Sequence, residues 1–164
     1  VMSDAASGFT SVTYPFPVIR MADLYLMYAE ALNEKGEDYA TVLPWIDMVR
    51  ERSGLQGVKE SWDQYVGNSK YATQTGLRQI IMQERRIELA FEGHYFWDVR
   101  RWKTATTELT QPLTGWKVRY GETDVDYYSE NLVLVRDFTP KMYFWPIDIG
   151  ELRKDPNLVQ NYGC

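Results

Sequence analysis

The chain has 164 residues, of which 45% are hydrophobic and 25% are charged, a composition typical of a globular protein. Its 23 acidic residues outnumber the 18 basic ones, and the net charge of −5 argues against nucleic acid as a partner, because phosphate binding needs a basic surface. One cysteine, Cys164, and one histidine, His94, exclude an internal disulfide and a Cys- or His-based metal site. We therefore predict no metal and no other cofactor. The longest apolar stretch falls far short of the ~20 residues that a membrane-spanning helix needs.

A helical hairpin is predicted near the start of the chain. Apolar residues at helical spacing run from Leu24 to Leu32, and Gly36 provides the end of this helix. A second helix is predicted over 39–52, with Pro44 tolerated only if it lies in the first turn. The short link makes the pair antiparallel, and its length is typical of one tetratricopeptide-like unit. Since a single unit cannot bury its own face, the hairpin needs packing partners.

Two further helices are predicted after a long polar segment. Residues 55–76 are predicted to be a loop, because glycine, asparagine and serine punctuate them. The third helix is predicted over 77–92 and the fourth over 95–104.

After residue 106 the helical period disappears. Short extended segments are predicted over 116–120, 132–135 and 142–145. The predicted fold class is mainly α: a tetratricopeptide-like helix hairpin plus further helices, with irregular and short-strand C-terminal segments. We expect one domain over 1–164, helical over about 20–105 and irregular over about 106–164.

A stripe of glutamates marks the third helix. Glu84, Glu88 and Glu92 follow each other at intervals of four residues, so they share one side of the helix. Two carboxylates near an apolar face could be the acid and base of a glycosidase. Nearby arginines favour another interpretation, because arginine binds carboxylates bidentately and buried charges are paired. We predict structural ion pairs among Glu84, Glu88, Arg85, Arg86, Arg100 and Arg101.

The aromatic content of 15% exceeds what a small core needs. One group lies at helical spacing beside aliphatic residues and is predicted to be core: Trp45, Phe91, Phe96, Trp97 and Trp102. A second group lies in sequence without a helical period, and its rings are either anchors packed on the core or a ligand surface. The ligand-binding candidates are Trp62, Tyr65, Tyr71, Trp116 and Tyr120.

Two other groups of polar residues do not meet the requirements of a metal site or a catalytic site. Asp124 and Asp126 resemble the start of a calcium loop, but the later ligands and the central glycine are missing, which favours a solvated turn. His94 has no nucleophile or carboxylate fixed beside it, so we interpret it as a packed or capping side chain. The sequence therefore predicts no catalytic residue.

Three stretches in order along the chain together resemble the C-terminal part of the SusD/RagB family. The first is Arg20–Asn33, with the helix end Val49–Leu55. The second is Glu84–Gly93, continuing into Phe96–Trp102. The third combines Trp145–Ile147, Glu151-Leu152 and the ending Asn157–Gly163. One departure is that family endings often contain a proline in Asn-Pro-Gly-Tyr, whereas Asn161 is followed here by Tyr162.

The resemblance implies a function. Family members are surface-exposed outer-membrane lipoproteins that bind glycans or related nutrients without cleaving them, above a SusC-like TonB-dependent transporter. The chain then looks like a C-terminal fragment of a larger, non-enzymatic protein whose partners are a glycan and that transporter. Its only link to the membrane would be a lipid anchor outside the fragment. Family glycan contacts come mostly from upstream loops, so none is matched here residue by residue.

Three functions compete at this point. The first is capture of a glycan or related nutrient for delivery to the transporter. The second is a helical scaffold that binds only the transporter protein. The third is a glycosidase, which the arginines beside the acidic stripe disfavour. The sequence does not separate the first from the second.

Overall fold

The computed structural model describes residues 17–117 and 122–163. The chain divides into two compact units, 1–92 and 93–164. Helices dominate the described residues, with two short strands near the C-terminal end, so the predicted mainly α fold class is confirmed. The prediction of one domain, with a helical part up to about residue 105 and an irregular part after it, stays a prediction. None of the helices in these residues has the length and apolar character that crossing a bilayer requires.

The predicted hairpin is formed by α1 (Met21–Lys35) and α2 (Tyr39–Arg52). Gly36 ends α1 in the left-handed region, with φ 87°, and its N–H donates to the carbonyl of Asn33. Asp38 begins α2, because its side chain accepts a hydrogen bond from the N–H of Ala40 at 2.8 Å. The C-terminal end of α1 and the N-terminal end of α2 are thus both determined by adjacent residues. The observed bounds of α2 match the predicted ones.

The position of Pro44 differs from the expectation. Pro44 lies inside α2, beyond its first turn, where it has no N–H to donate to the preceding turn. The helix continues across it because its neighbours Leu43 and Ile46 are both buried in the core. Burial of this face therefore outweighs the lost hydrogen bond.

The segment predicted to be a loop is largely helical. It contains α3 (Val58–Ser61), a π-helical segment (Trp62–Val66) and a 3₁₀ turn (Lys70–Ala72). Its first residues are anchored to α2, since Asp47 accepts a hydrogen bond from the N–H of Val58 at 2.7 Å. Val58 itself is fully buried. Asp47 lies 11 residues before Val58 and on another helix, which is why the pattern within the segment does not predict this contact.

The third predicted helix is α4 (Gln74–Glu88), and it is shifted toward the N-terminus. Thr73 begins it by accepting a hydrogen bond from the N–H of Gly76 at 3.1 Å. The helix ends before Phe91, which has a positive φ of 65° and is fully exposed. The prediction that Phe91 is core is therefore wrong, because the helical spacing that supported it stops at Glu88.

The core of the first unit joins α1, α2, α3 and α4. Its largest fully buried side chains are Leu26, Val42, Ile46, Val58, Leu77 and Ile81. Trp45 packs against this cluster while remaining partly buried, in line with its predicted place at the core. Burial of such aliphatic side chains contributes ~1.5–3 kcal/mol each to the free energy of unfolding.

Ion pairs connect α4 to the hairpin. Arg85 on α4 donates to Asp23 on α1 at 2.9 Å, and both side chains are buried. Glu88 accepts from Arg20, which precedes α1, and from Arg52 at the end of α2, the latter at 2.6 Å. The predicted partners for Glu88 lay on its own helix or the next one, whereas the structure supplies them from the hairpin.

The second unit contains four helices and one antiparallel strand pair among its described residues. They are α5 (His94–Arg101), α6 (Ala105–Glu108), β1 (Leu113–Trp116), α7 (Asp124–Tyr127), β2 (Glu130–Leu134) and α8 (Ile149–Lys154). Thr114 pairs with Leu132 and Trp116 with Glu130, with a register irregularity between Leu113 and Thr114. A 3₁₀ turn, Pro140–Tyr143, occupies part of the segment predicted to be extended over 142–145. Residues 118–120 of another predicted strand lie outside the described residues.

A small core organises the second unit. Val99, Ala105 and Phe138 are buried, and Tyr95, Leu109 and Tyr143 pack against them. On α5 the buried positions are Asp98 and Val99, so Phe96 and Trp97 fall on the exposed side. The prediction that these two rings are core is therefore wrong. Trp102, just beyond the helix, is half-buried.

Replacing Arg85 with methionine tests the buried ion pair. We expect Arg85→Met to lower the free energy of unfolding by ~3–5 kcal/mol, because it leaves the buried Asp23 carboxylate without this partner. The matched control is Arg78→Met on the same helix, which breaks an exposed pair with Glu34 and should cost ~0–1 kcal/mol. Equal losses in denaturant unfolding of the two variants would contradict this account of the core.

Candidate functional site

A cleft of about 360 Å³ opens on the first unit, beside α4. It is lined by Trp62, Lys70, Gln79, Ile80, Gln83 and Glu84. This volume lies at the lower end of the ~300–1,000 Å³ range of small-molecule sites. The lining combines one aromatic ring, one aliphatic side chain, two amides and two charged groups.

Helical spacing on α4 aligns one wall of the cleft. Gln79 and Gln83 are four residues apart, and so are Ile80 and Glu84, so all four side chains lie on neighbouring stripes. Ile80 is buried and forms the apolar base, while both glutamines are exposed. Among the described residues, neither glutamine side chain has a hydrogen-bond partner, so both amides can donate to and accept from a ligand.

Trp62 forms the opposite wall. It begins the π-helical segment, and its partly buried ring packs against the core of the first unit. The ammonium of Lys70 lies over this ring, 5.5 Å from its centroid. The wall therefore offers an aromatic face that is covered by one flexible cationic side chain.

Gly76 fixes the backbone that carries Lys70. A Cβ atom at position 76 would lie 2.1 Å from the carbonyl oxygen of Lys70, which no side chain can tolerate. Glycine therefore allows the 3₁₀ turn to lie directly against the first turn of α4. This contact sets the distance between Lys70 and the cleft wall on α4.

Glu84 is held by Arg50 from α2. Arg50 donates through Nη1 to Glu84, through Nε to the carbonyl of Gln56 at 2.8 Å, and through Nη2 to the hydroxyl of Ser61 at 3.1 Å. All three nitrogens of this guanidinium are used, and it ties α2, α3 and α4 together. The negative charge of Glu84 is thereby balanced within the protein.

The remaining predicted ligand residues fall in different environments. Tyr71 is only 6% exposed, its hydroxyl donates to Asp63 at 2.8 Å, and its ring packs edge-on against Tyr39. A buried ring has no open face, so Tyr71 contributes packing. Tyr65 is 72% exposed on the π-helical segment.

Trp116 belongs to the second unit. Its ring is exposed on β1 and stands edge-on against Tyr128, with the ring centroids 5.3 Å apart. Tyr120, the fifth predicted ligand residue, lies outside the described residues. Trp62 and Trp116 thus belong to separate units of the chain.

The predicted ion-pair arginines also fall in different places. Arg101 pairs with Asp98 at 2.8 Å on α5, while Arg100 donates to the carbonyl of Met142 and lies 4.2 Å from the centroid of Phe96. Arg86 is exposed on α4. Among the described residues, no group of three or more His, Cys, Asp or Glu side chains is placed to hold a metal ion.

Sequence reasoning missed Lys70, Gln79 and Gln83. A signal for the glutamines exists, because their spacing of four residues places two amides beside the buried Ile80. Lys70 could not be found in this way, since its place depends on the contact between its turn and Gly76.

Comparison with protein families gives a match between residues 2–163 and the model of the SusD family. Among curated proteins, SusD-like protein P25 of Formosa agariphila is 39% identical over 144 residues, which are 88% of this chain and 23% of the relative. SusD-like protein P2 of the same organism is 37% identical over 98 residues, 59% of this chain and 18% of the relative.

Solved structures agree with these sequence matches. A SusD-like protein from Bacteroides fragilis, BF3747, superposes with a TM-score of 0.70 at 29% identity, over 92% of this chain and 28% of its own. BT4246 superposes with a TM-score of 0.80 at 26% identity, over 99% of this chain and 26% of its own. The chain thus spans between 18% and 28% of the length of these relatives.

Two substitutions in the cleft should show which lining side chains stabilise the fold and which do not. Glu84→Gln removes the charge that Arg50 binds, so we expect the free energy of unfolding to fall by ~1–3 kcal/mol. Gln83→Ala removes an exposed amide that has no partner among the described residues, and it should change this free energy by less than ~0.5 kcal/mol. Thermal unfolding of both variants measures the difference, and a destabilised Gln83→Ala would show that this amide is structural.

Proposed function

The chain belongs to the SusD family, and we propose that it is part of a protein that binds glycans or related nutrients without cleaving them. The single observation that carries the proposal is the cleft of Trp62, which pairs an aromatic ring with two amides that have no partner among the described residues. We place the protein at the outer-membrane surface, held by a lipid anchor, where it delivers its ligand to a SusC-like TonB-dependent transporter. Membership of the family supports this location and this partner.

The chemistry of the cleft suits a sugar ring. A pyranose has an apolar face of C–H groups that packs on the face of an indole, and a rim of hydroxyls that need hydrogen bonds. Trp62 supplies the aromatic face, while Gln79 and Gln83 supply both donors and acceptors. Ile80 supplies a buried aliphatic contact for the apolar part of the sugar.

The ion pairs of Glu84, which lines the cleft, and of Glu88, one turn further along α4, support binding without cleavage. A glycosidase needs one carboxylic acid to protonate the leaving oxygen and a second carboxylate to act as base or nucleophile. Glu84 is bound to Arg50, and Glu88 is bound to Arg20 and Arg52. Both carboxylates therefore serve as ion-pair partners of arginines that belong to the hairpin or flank it.

A scaffold that binds only the transporter protein is the second candidate, and the strand pair of the second unit favours it. Four successive apolar residues of β2 and its end are exposed: Leu132, Val133, Leu134 and Val135. Two strands alone are marginally stable in water, and exposed apolar patches often mark contacts with other proteins. This surface is compatible with glycan binding elsewhere on the molecule, so the two functions differ only in whether a glycan binds.

Substitution of Trp62 and of Trp116 tests glycan binding. In the full-length protein, Trp62→Leu should keep the packing against the core but remove the aromatic face, and glycan affinity should fall by about tenfold or more. Calorimetric titration measures the affinity, and melting temperature serves as the control. The glycan affinity of Trp116→Ala shows whether the exposed ring of the second unit contributes to binding. Unchanged affinity in both variants would remove these rings from the site, whereas a wild-type protein that binds no glycan would favour the scaffold.

The absence of hydrolysis is a separate expectation. Incubation of the full-length protein with a broad panel of polysaccharides should release no reducing ends above the background of a heat-denatured sample. The reason is that Glu84 and Glu88 are both bound by arginine. A reproducible signal that disappears in Glu84→Gln or Glu88→Gln would instead establish a glycosidase.

A further inference from the structure

The charge balance of the Trp62 cleft carries information about the ligand. Glu84 is neutralised by Arg50, which leaves Lys70 as the charged group of the lining that pairs with no carboxylate of residues 17–117 and 122–163. The cleft therefore has a local positive charge, although the chain as a whole has a net charge of −5. Local charge matters here because the charges of an acidic chain are screened beyond about 8–10 Å at ordinary ionic strength.

Lys70 differs from the other lysines of the first unit. Lys35 binds Glu37 and Lys59 binds Asp63, each at 2.7 Å, and these contacts raise the pKa of both ammonium groups. Within the described part of this unit, Lys70 is the lysine without a carboxylate partner. Its ammonium lies instead over the ring of Trp62, 5.5 Å from the centroid.

The place of this ammonium discriminates between ligands. A neutral sugar that stacks on Trp62 must move Lys70 off the ring, and the lost cation–π contact is replaced by hydrogen bonds no stronger than those to water. An anionic sugar also moves Lys70 aside, but its negative group then binds the ammonium in a charge-assisted hydrogen bond. The same displacement therefore favours an anionic sugar over a neutral one.

We propose that the Trp62 cleft binds a sugar residue with an anionic substituent, whose negative group is bound by Lys70 while the ring stacks on Trp62. The inference rests on the proposed function, and it names the class of glycan. The shared chemistry is a singly charged oxyanion on a pyranose, which is supplied by the carboxylate of a uronic acid or by a sulfate ester. The amide groups of Gln79 and Gln83 are placed to bind neighbouring hydroxyls.

Matched pairs of glycans test the proposal in the full-length protein. One pair is oligogalacturonate and its carboxyl-reduced, neutral form; the other is a sulfated galactan oligosaccharide and its desulfated form. We expect at least one acidic member to bind about tenfold tighter than its neutral counterpart in calorimetric titrations at the same salt concentration. The pair that shows the preference identifies the anion as carboxylate or sulfate.

Lysine variants assign that preference to the cleft. Lys70→Met should reduce the acidic-to-neutral ratio to within about twofold, and Lys70→Arg should keep most of it, because it preserves the charge. Lys59→Met is the matched control: it removes one positive charge from the same segment, from a lysine already paired with Asp63, and should leave the ratio unchanged.

The outcomes separate this inference from the proposed function. If neutral and acidic members bind equally, or if Lys70→Met keeps the ratio, the anionic ligand is wrong and glycan binding stands. If Lys59→Met lowers the ratio as much as Lys70→Met, net charge rather than the cleft selects the ligand, and the proposal fails. If no glycan of either pair or of a wider panel binds, glycan binding and this inference fail together.

Discussion

The pairing of charges on α4 is the constraint on which the rest of the first unit depends. This helix places Glu84 and Arg85 in one turn and Glu88 in the next, and burying any of them without a partner would cost several kcal/mol. The hairpin meets that need with Asp23 from α1 and with arginines that flank or end its helices. The positions of α1, α2 and α4 are therefore fixed by charge as well as by apolar packing.

The cleft is a consequence of the same arrangement. Arg50 binds Glu84 on α4 and also holds α3 through Gln56 and Ser61, so one guanidinium sets the position of the segment that carries Trp62. Trp62 begins the π-helical segment that follows and lines the cleft together with residues of α4, and π-helical turns occur often at functional sites. One side of α4 forms ion pairs that stabilise the fold, and the neighbouring side carries the exposed amides of Gln79 and Gln83.

Local signals explain what sequence could predict. The hairpin follows from the helical period, from Gly36 and from Asp38, which lie within a few residues of the ends they determine. The segment 55–76 was mispredicted because its anchors, Asp47 and Arg50, belong to another helix. The helical period also predicted that Phe91 is buried in the core. Phe91 is exposed instead, because α4 ends at Glu88, before this residue. The acidic stripe predicted ion pairing, but the arginines that pair with it come from the hairpin, so the partners are determined by tertiary packing.

The central claim is that a glycan contacts Trp62, and fluorine NMR of the full-length protein labelled with fluorotryptophan tests it most directly. Comparison with the spectrum of Trp62→Phe assigns the resonance of this ring. The account predicts that this resonance shifts when a bound oligosaccharide replaces the Lys70 ammonium over the indole. A Trp62 resonance that stays in place while other tryptophans respond to a saturating ligand would contradict the account and move the site elsewhere.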